Sequence, residues 1–201
     1  MPQNPVVRAI AAVALGLIIA VAALAYTPLG RSLWQGPVED AVGTAAIGGP
    51  FTLTDQDGKP RSAADFRGQY MLVFFGYTNC PDVCPTTLQT LTDAMTALGA
   101  KAGKVTPVFI TVDPERDTAK TLKDYAANFT PRLVALTGTP VEIAAVAREY
   151  RVYYAKAGDG PNYAMDHTAL IYLMGPDGRY VTHYAPQATS DDIAKDLGKR
   201  I

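Results

Sequence analysis

The chain has 201 residues, 48% of them hydrophobic, with 18 Lys and Arg against 19 Asp and Glu and a formal net charge of −1. That length suits one ordinary domain plus an appendage. The balanced charge argues against a nucleic-acid partner, and the hydrophobic content argues against a disordered chain. Only two cysteines and two histidines are present, so their positions carry most of the information about soft-metal or thiol chemistry.

The first element is an uncharged run from Ala9 to Tyr26, rich in Ala, Ile, Leu and Val. Coiled as a helix at about 1.5 Å per residue it reaches about 27 Å, which just spans a bilayer core of about 30 Å when Val6, Val7, Thr27 or Leu29 extends it. Its apolar residues form no stripe, and a helix greasy all round must be buried in something. The expectation is a cytoplasmic N-terminus over 1–8 and a transmembrane anchor over 9–29. The alternative is a cleaved signal peptide ending near Ala23-Leu24-Ala25, disfavoured because the run exceeds the usual signal core. Arg8 lies before the span, so the weak charge bias places the rest of the chain in the exported compartment, the periplasm or its equivalent. Residues 30–49, broken at short intervals by Gly30, Gly36, Pro37, Gly43, Gly48 and Gly49, form a linker.

The exported domain covers 50–201. Asp55-Gln56-Asp57-Gly58 reads as a hairpin turn rather than a calcium loop, because the remaining ligands of such a loop are missing. Met71 to Tyr77 is a continuous apolar run, as in a strand buried on both faces. Leu88, Leu91, Met95 and Leu98 give Thr86–Leu98 helical spacing. Val105–Val112 is the next strand, and Thr118–Phe129 a helix with Asp117 as its cap. A short strand at Leu133–Leu136 precedes a capping box, Thr139-Pro140-Val141-Glu142, that starts a helix running to about Tyr150. Val152–Lys156 leads into a polar loop over Ala157–Asn162. Thr168–Met174 and Arg179–His183 are strands joined by the turn Gly175-Pro176-Asp177-Gly178. Thr189 or Ser190 caps a last helix ending in Lys199 and Arg200, whose charges suit its C-terminus. Strands alternating with helices predict an α/β, thioredoxin-like fold with a mostly parallel central sheet and an added β-hairpin.

Cys80 and Cys84 lie in Gly76-Tyr77-Thr78-Asn79-Cys80-Pro81-Asp82-Val83-Cys84-Pro85, between a buried strand and a helix. Strand ends are where open α/β sheets bind ligands, and a helix N-terminus favours a thiolate. Three intervening residues put the sulfurs about one helical turn apart, near enough to grip one ion or to form a disulfide. A purely structural bridge closing so small a loop would add little stability. Thiolates with an imidazole suit Cu(I), Cu(II) or zinc. His167, at the start of a strand, is the better third donor; Asp166 either orients it or bonds backbone at the loop end, and Met165 is a weak axial candidate that reads better as a packing residue at the loop edge. If Gly175 stands opposite Gly178, His183 faces Leu170 and points to the side of the sheet opposite His167. The two histidines then share no ion, which counts against a two-Cys, two-His zinc.

At these residues the chain resembles the Sco/SenC family of membrane-anchored copper proteins. The matching blocks are residues 76–85, Val112-Asp113-Pro114-Glu115-Arg116-Asp117-Thr118, and the run from Asp166-His167-Thr168 to Gly175-Pro176-Asp177-Gly178. The resemblance covers most of 45–201. It implies a thioredoxin-like fold and one copper, Cu(I) or Cu(II), held by Cys80, Cys84 and His167, with Asp113 near the site. It also implies an assembly factor rather than a turnover enzyme, with the CuA-bearing subunit of cytochrome c oxidase as partner and other copper chaperones or thiol oxidoreductases as further partners. The alternative role is a thiol-disulfide oxidoreductase that reduces the recipient's cysteines through Cys80 and Cys84.

Overall fold

The computed structural model describes residues 14–16, 47–130 and 132–201. The expected anchor over 9–29 and the linker over 30–49 lie almost wholly outside the described residues. Among the described residues no helix is long and apolar enough to cross a membrane.

Among the described residues from 47 onward, nine strands and four α-helices follow in chain order: β1 Thr52–Asp55, β2 Pro60–Ser62, β3 Tyr70–Gly76, α1 Val83–Leu98, β4 Val105–Thr111, α2 Ala119–Ala126, β5 Val134–Thr137, α3 Pro140–Glu149, β6 Tyr154–Ala157, β7 Ala164–His167, β8 Ile171–Met174, β9 Tyr180–Tyr184 and α4 Ser190–Arg200. Seven strands form one sheet in the order β2-β1-β5-β4-β3-β8-β9, while β6 and β7 pair in a separate two-stranded sheet. The centre is β3 and β4, paired in parallel from Tyr70 with Val105 to Gly76 with Thr111. Leu72, Val73, Phe74, Phe75, Val108, Phe109 and Ile110 are completely buried there. Each such side chain contributes about 1.5–3 kcal/mol of burial, so this pair anchors the domain. α1 packs against α4 across the chain.

The thioredoxin-like α/β class holds, but the sheet is mixed rather than mostly parallel. Only β3–β4 and β4–β5 run parallel; β1–β2, β1–β5, β3–β8 and β8–β9 are antiparallel. The N-terminal hairpin over Asp55–Gly58 supplies one antiparallel edge and the hairpin over Gly175–Gly178 the other. Helix signals mostly landed where expected. Thr139 and Glu142 form the capping box of α3 with Pro140 at its start, and Thr189 rather than Ser190 caps α4. The cap of α2 is Thr118, whose hydroxyl accepts from Thr121 N–H; Asp117, expected in that role, turns its carboxylate into the interior.

Two strand expectations need correction. The run 168–174 is not one strand: β7 ends at His167 and β8 begins at Ile171. The last hairpin is also shifted. Gly175 N–H donates to Arg179 O, and an irregularity at Leu173/Met174 adds a further step, so His183 pairs with Tyr172 rather than Leu170. His183 stands on the edge strand of the large sheet, its ring bonded to the Tyr180 hydroxyl at 2.5 Å. His167 belongs to the small one.

Candidate metal centre

The site grows from the end of β3. Gly76 closes the strand, and side chains from β4 and α1 crowd it so tightly that a Cβ there would lie 2.8 Å from the Phe109 ring and 2.9 Å from Cys84 Sγ. Glycine at 76 is what lets the thiol of Cys84 sit on the sheet. Gly76→Ala is therefore expected to destabilise the domain by about 1–3 kcal/mol through overpacking and to displace Cys84 Sγ. Denaturant titration together with copper affinity checks both effects.

α1 begins at Val83, three residues earlier than the apolar spacing indicated, because Pro85 needs no N–H partner in a first turn. Cys84 is thus the second residue of the helix and Cys80 lies in the loop before it. The Cys84 N–H, one of the donors a helix start leaves unpaired, donates to Cys80 Sγ at 3.4 Å. Both cysteines are free thiols, and their environments differ. Cys84 is completely buried, and burial pushes its thiol far up from the ordinary value. Cys80 is half-buried; burial alone would raise it, but hydrogen bonds from the backbone N–H groups of Cys84 and Asp82, with the Cys84 thiol and the Tyr77 hydroxyl, hold it below its ordinary value.

His167 ends β7, opposite Tyr154 on β6. Its ring meets the Phe74 and Tyr77 rings edge-on, each at 6.0 Å between centroids. Nδ1 lies 3.1 Å from the Thr168 carbonyl. A carbonyl only accepts, so Nδ1 carries the proton and Nε2 keeps its lone pair. Nε2 stands 3.7 Å from Cys84 Sγ. Burial holds the imidazole below its ordinary value, offset in part by the Thr168 carbonyl and Asp166, so the ring is neutral and ligand-ready at neutral pH. Thr168, not Asp166, orients it; Asp166 is exposed and makes no hydrogen bond to the ring among the described residues. Met165 packs against the core cluster.

The donor set fits a soft metal. Bonds of about 2.3 Å to sulfur and about 2.0 Å to nitrogen, as zinc makes, span about 3.7 Å at a trigonal angle, the separation found between Cys84 Sγ and His167 Nε2. Cys80 Sγ is turned to the Cys84 N–H, and among the described residues no three Cys, His or carboxylate side chains already form a closed cage. An open cleft of about 300 Å³, lined by Tyr77, Cys80, Val83, Met165, Asp166 and His167, leads to these donors.

Sequence reasoning missed the scaffold around them. Asp117, fully buried, accepts from Thr78 N–H at 3.0 Å, the Thr78 hydroxyl at 2.5 Å and the Thr111 hydroxyl at 2.6 Å. It thereby fixes the loop two residues before Cys80. Asp113 neither caps its own turn with its side chain nor faces the sulfurs. Its carboxylate accepts from the Tyr163 hydroxyl at 2.6 Å and pairs with Arg116. Asp113 and Asp117 both lie in a block the resemblance singles out; nothing local to Tyr163 marked it.

Residues 39–201 match the SCO1/SenC family. The chain belongs to that family. It is 40% identical over 161 residues to the mitochondrial SCO1 homolog of Mus musculus, covering 78% of this chain and 57% of that protein; the chain spans about six-tenths of the length of the mitochondrial Sco relatives it matches. The solved structure of Bradyrhizobium japonicum ScoI with copper bound is 50% identical, with a TM-score of 0.73, covering 78% of this chain and 100% of that one. A disulfide switch was identified in BsSco, a member of the Sco family of cytochrome c oxidase assembly proteins. Its structure is 32% identical at a TM-score of 0.62, covering 76% of this chain and 92% of that one. Sco structures thus carry copper in the same fold.

Proposed function

We propose that this chain binds one copper ion through Cys80, Cys84 and His167 and hands it to the CuA-bearing subunit of cytochrome c oxidase, from a single membrane anchor over 9–29 with the domain over 50–201 in the exported compartment. The observation that carries the ligand set is the 3.7 Å approach of Cys84 Sγ to a His167 Nε2 whose lone pair is left free by the Thr168 carbonyl. Copper bound to ScoI and the oxidase-assembly role stated for the family of BsSco support the choice of metal and recipient. Rotation of Cys80 about Cα–Cβ would bring its sulfur, already the more acidic of the two, to the remaining position. Two thiolates and one imidazole hold Cu(I); Cu(II) relies more on the imidazole, being the harder ion.

The test is a copper titration of the His167→Ala protein against competing chelators. Cu(II) affinity should fall by more than tenfold, above the lower end of the about 10–100-fold that outer partners alone cost, while Cu(I) falls less because the thiolates remain. Unchanged Cu(II) affinity and spectrum would remove His167 from the ligand set.

A second reading, thiol-disulfide exchange with the recipient, draws on the unlike cysteines. A half-buried thiol of lowered pKa beside a fully buried one of raised pKa is the pairing of an attacking and a resolving cysteine. Metal-free turnover with a disulfide substrate would favour it.

A further inference from the structure

The segment Asp113–Asp117 follows β4 and stands between the two halves of the site. At one end the Asp117 carboxylate holds Thr78 and with it the cysteine loop. At the other, Asp113 and Arg116 hold the strand that carries His167. Arg116 is fixed on several sides. Its Nε pairs with the Asp113 carboxylate, and its Nη1 donates to Tyr163 O at 2.9 Å and Pro161 O at 3.4 Å. Its guanidinium carbon stands 3.6 Å from the centroid of the Tyr163 ring and 5.9 Å from that of Tyr77. Tyr163, 7% exposed, returns its hydroxyl to the same Asp113 carboxylate, and Lys156 of β6 also lies over its ring, at 3.8 Å.

Tyr163 immediately precedes β7, four residues before His167. β7 pairs only with β6, and a lone two-stranded hairpin is marginal in water without tertiary support. The orientation of the His167 imidazole towards Cys84 therefore depends on what ties the hairpin to the domain. At the end of β7, Thr168 is bonded to Tyr153 through its N–H at 2.9 Å and its hydroxyl at 3.1 Å, both within the hairpin's own flanks. At the other end the cluster of Asp113, Arg116 and Tyr163 bonds the hairpin to the body of the domain, beside the packing of Tyr154 and Met165 on the core and the Lys156–Glu115 pair. Tyr77 extends it, its ring lying beside Arg116 on one hand and edge-on to His167 on the other.

We propose that Arg116, held by Asp113 and lying on Tyr163, is a positioning residue that sets the His167 hairpin at bonding distance from the cysteine loop and so slows release of the metal. The proposal rests on the ligand set above. It asks nothing of Arg116 at the metal itself. A hairpin free to swing would populate the ligating position only part of the time, and apparent affinity falls by that fraction.

The decisive experiment is a cycle in the full chain, solubilised in detergent, with Cu(II) as the probe. Tyr163→Phe keeps the ring and removes the hydroxyl bond to Asp113; Arg116→Lys keeps the charge and removes the fork. Each should weaken Cu(II) about tenfold, the scale on which outer partners act, raise the dissociation rate and broaden the nitrogen hyperfine pattern in electron paramagnetic resonance. In a His167→Ala background neither should cause further loss. Amide exchange at Ala164–His167 in the metal-free variants should quicken, a readout independent of copper. Equal losses in both backgrounds, or unchanged affinity and exchange in the His167 background, overturn the positioning role. If His167→Ala alone leaves Cu(II) affinity intact, the ligand reading fails first and the positioning role falls with it.

Discussion

Cys84→Ser and Cys80→Ser should each lower Cu(I) affinity by well over 100-fold, more than the about 10–100-fold that loss of an outer partner costs. Serine keeps the shape but replaces a soft, ionisable donor with a hard hydroxyl that Cu(I) does not favour. Competition with a Cu(I) chelator of known affinity reads the change directly. The two variants should differ in stability. Cys84 is completely buried, its Sγ beside Gly76, so a serine hydroxyl there would be buried in apolar surroundings, whereas Cys80 is half-buried in a loop and its replacement should leave thermal unfolding nearly unchanged. Copper binding through Cys84 would also have to expel its proton, which burial makes hard to remove. Affinity should therefore weaken as pH falls, as for any site whose thiols lose protons on metal binding. Retention of tight Cu(I) binding by either serine variant would contradict the dithiolate site.

The cysteine loop was legible because its chemistry is local. A buried strand ends at Gly76, and two cysteines with three residues between them and a proline inside the first helical turn follow within the next nine positions. His167 was legible by its place before an apolar run, although the strand it belongs to was not. Thr168–Met174 reads as one strand, and only the pairing of β7 with β6 and of β8 with β3 separates them. Strand direction was equally hidden. β1 lies beside β5, some eighty residues on, and no local pattern announces an antiparallel edge on each flank of a parallel pair. Asp117 and Thr118 are both good helix caps, so propensity alone cannot choose between them. The choice is made by Thr78 and Thr111, which offer three donors to a carboxylate at 117. Arg116 and Tyr163 are 47 positions apart, a distance at which sequence spacing carries no signal for a stacked pair.

Asp117→Ala is expected to destabilise the domain by about 2–4 kcal/mol, from one orphaned buried N–H at about 1–3 kcal/mol plus the packing lost with the side chain. The orphan is Thr78 N–H, whose direction is fixed by the backbone; the hydroxyls of Thr78 and Thr111 can rotate. Because Thr78 leads into Cys80, the same variant should loosen the cysteine loop and weaken copper. Asp117→Asn separates charge from shape. Its amide oxygen can accept from Thr78 N–H and the Thr111 hydroxyl while its NH2 donates to a rotated Thr78 hydroxyl, so at neutral pH it should lie within about 1 kcal/mol of the parent. The pH dependence then has a definite sign. Burial raises the Asp117 carboxyl above its ordinary value, against the lowering by Thr111 and Thr78. A raised native value means that the folded state binds the proton more tightly than the unfolded chain. The contribution is full below the ordinary carboxylate value, near about pH 4, and is lost as pH rises through the raised native value. Asp117→Asn lacks this dependence, so it should gain on the parent between about pH 4 and neutrality. Urea unfolding of both proteins at a series of pH values measures the difference. A gap that is constant over that range, or a parent that gains on the variant as pH rises, would mean that the carboxylate pays no burial penalty and that its three donors hold it ionised throughout.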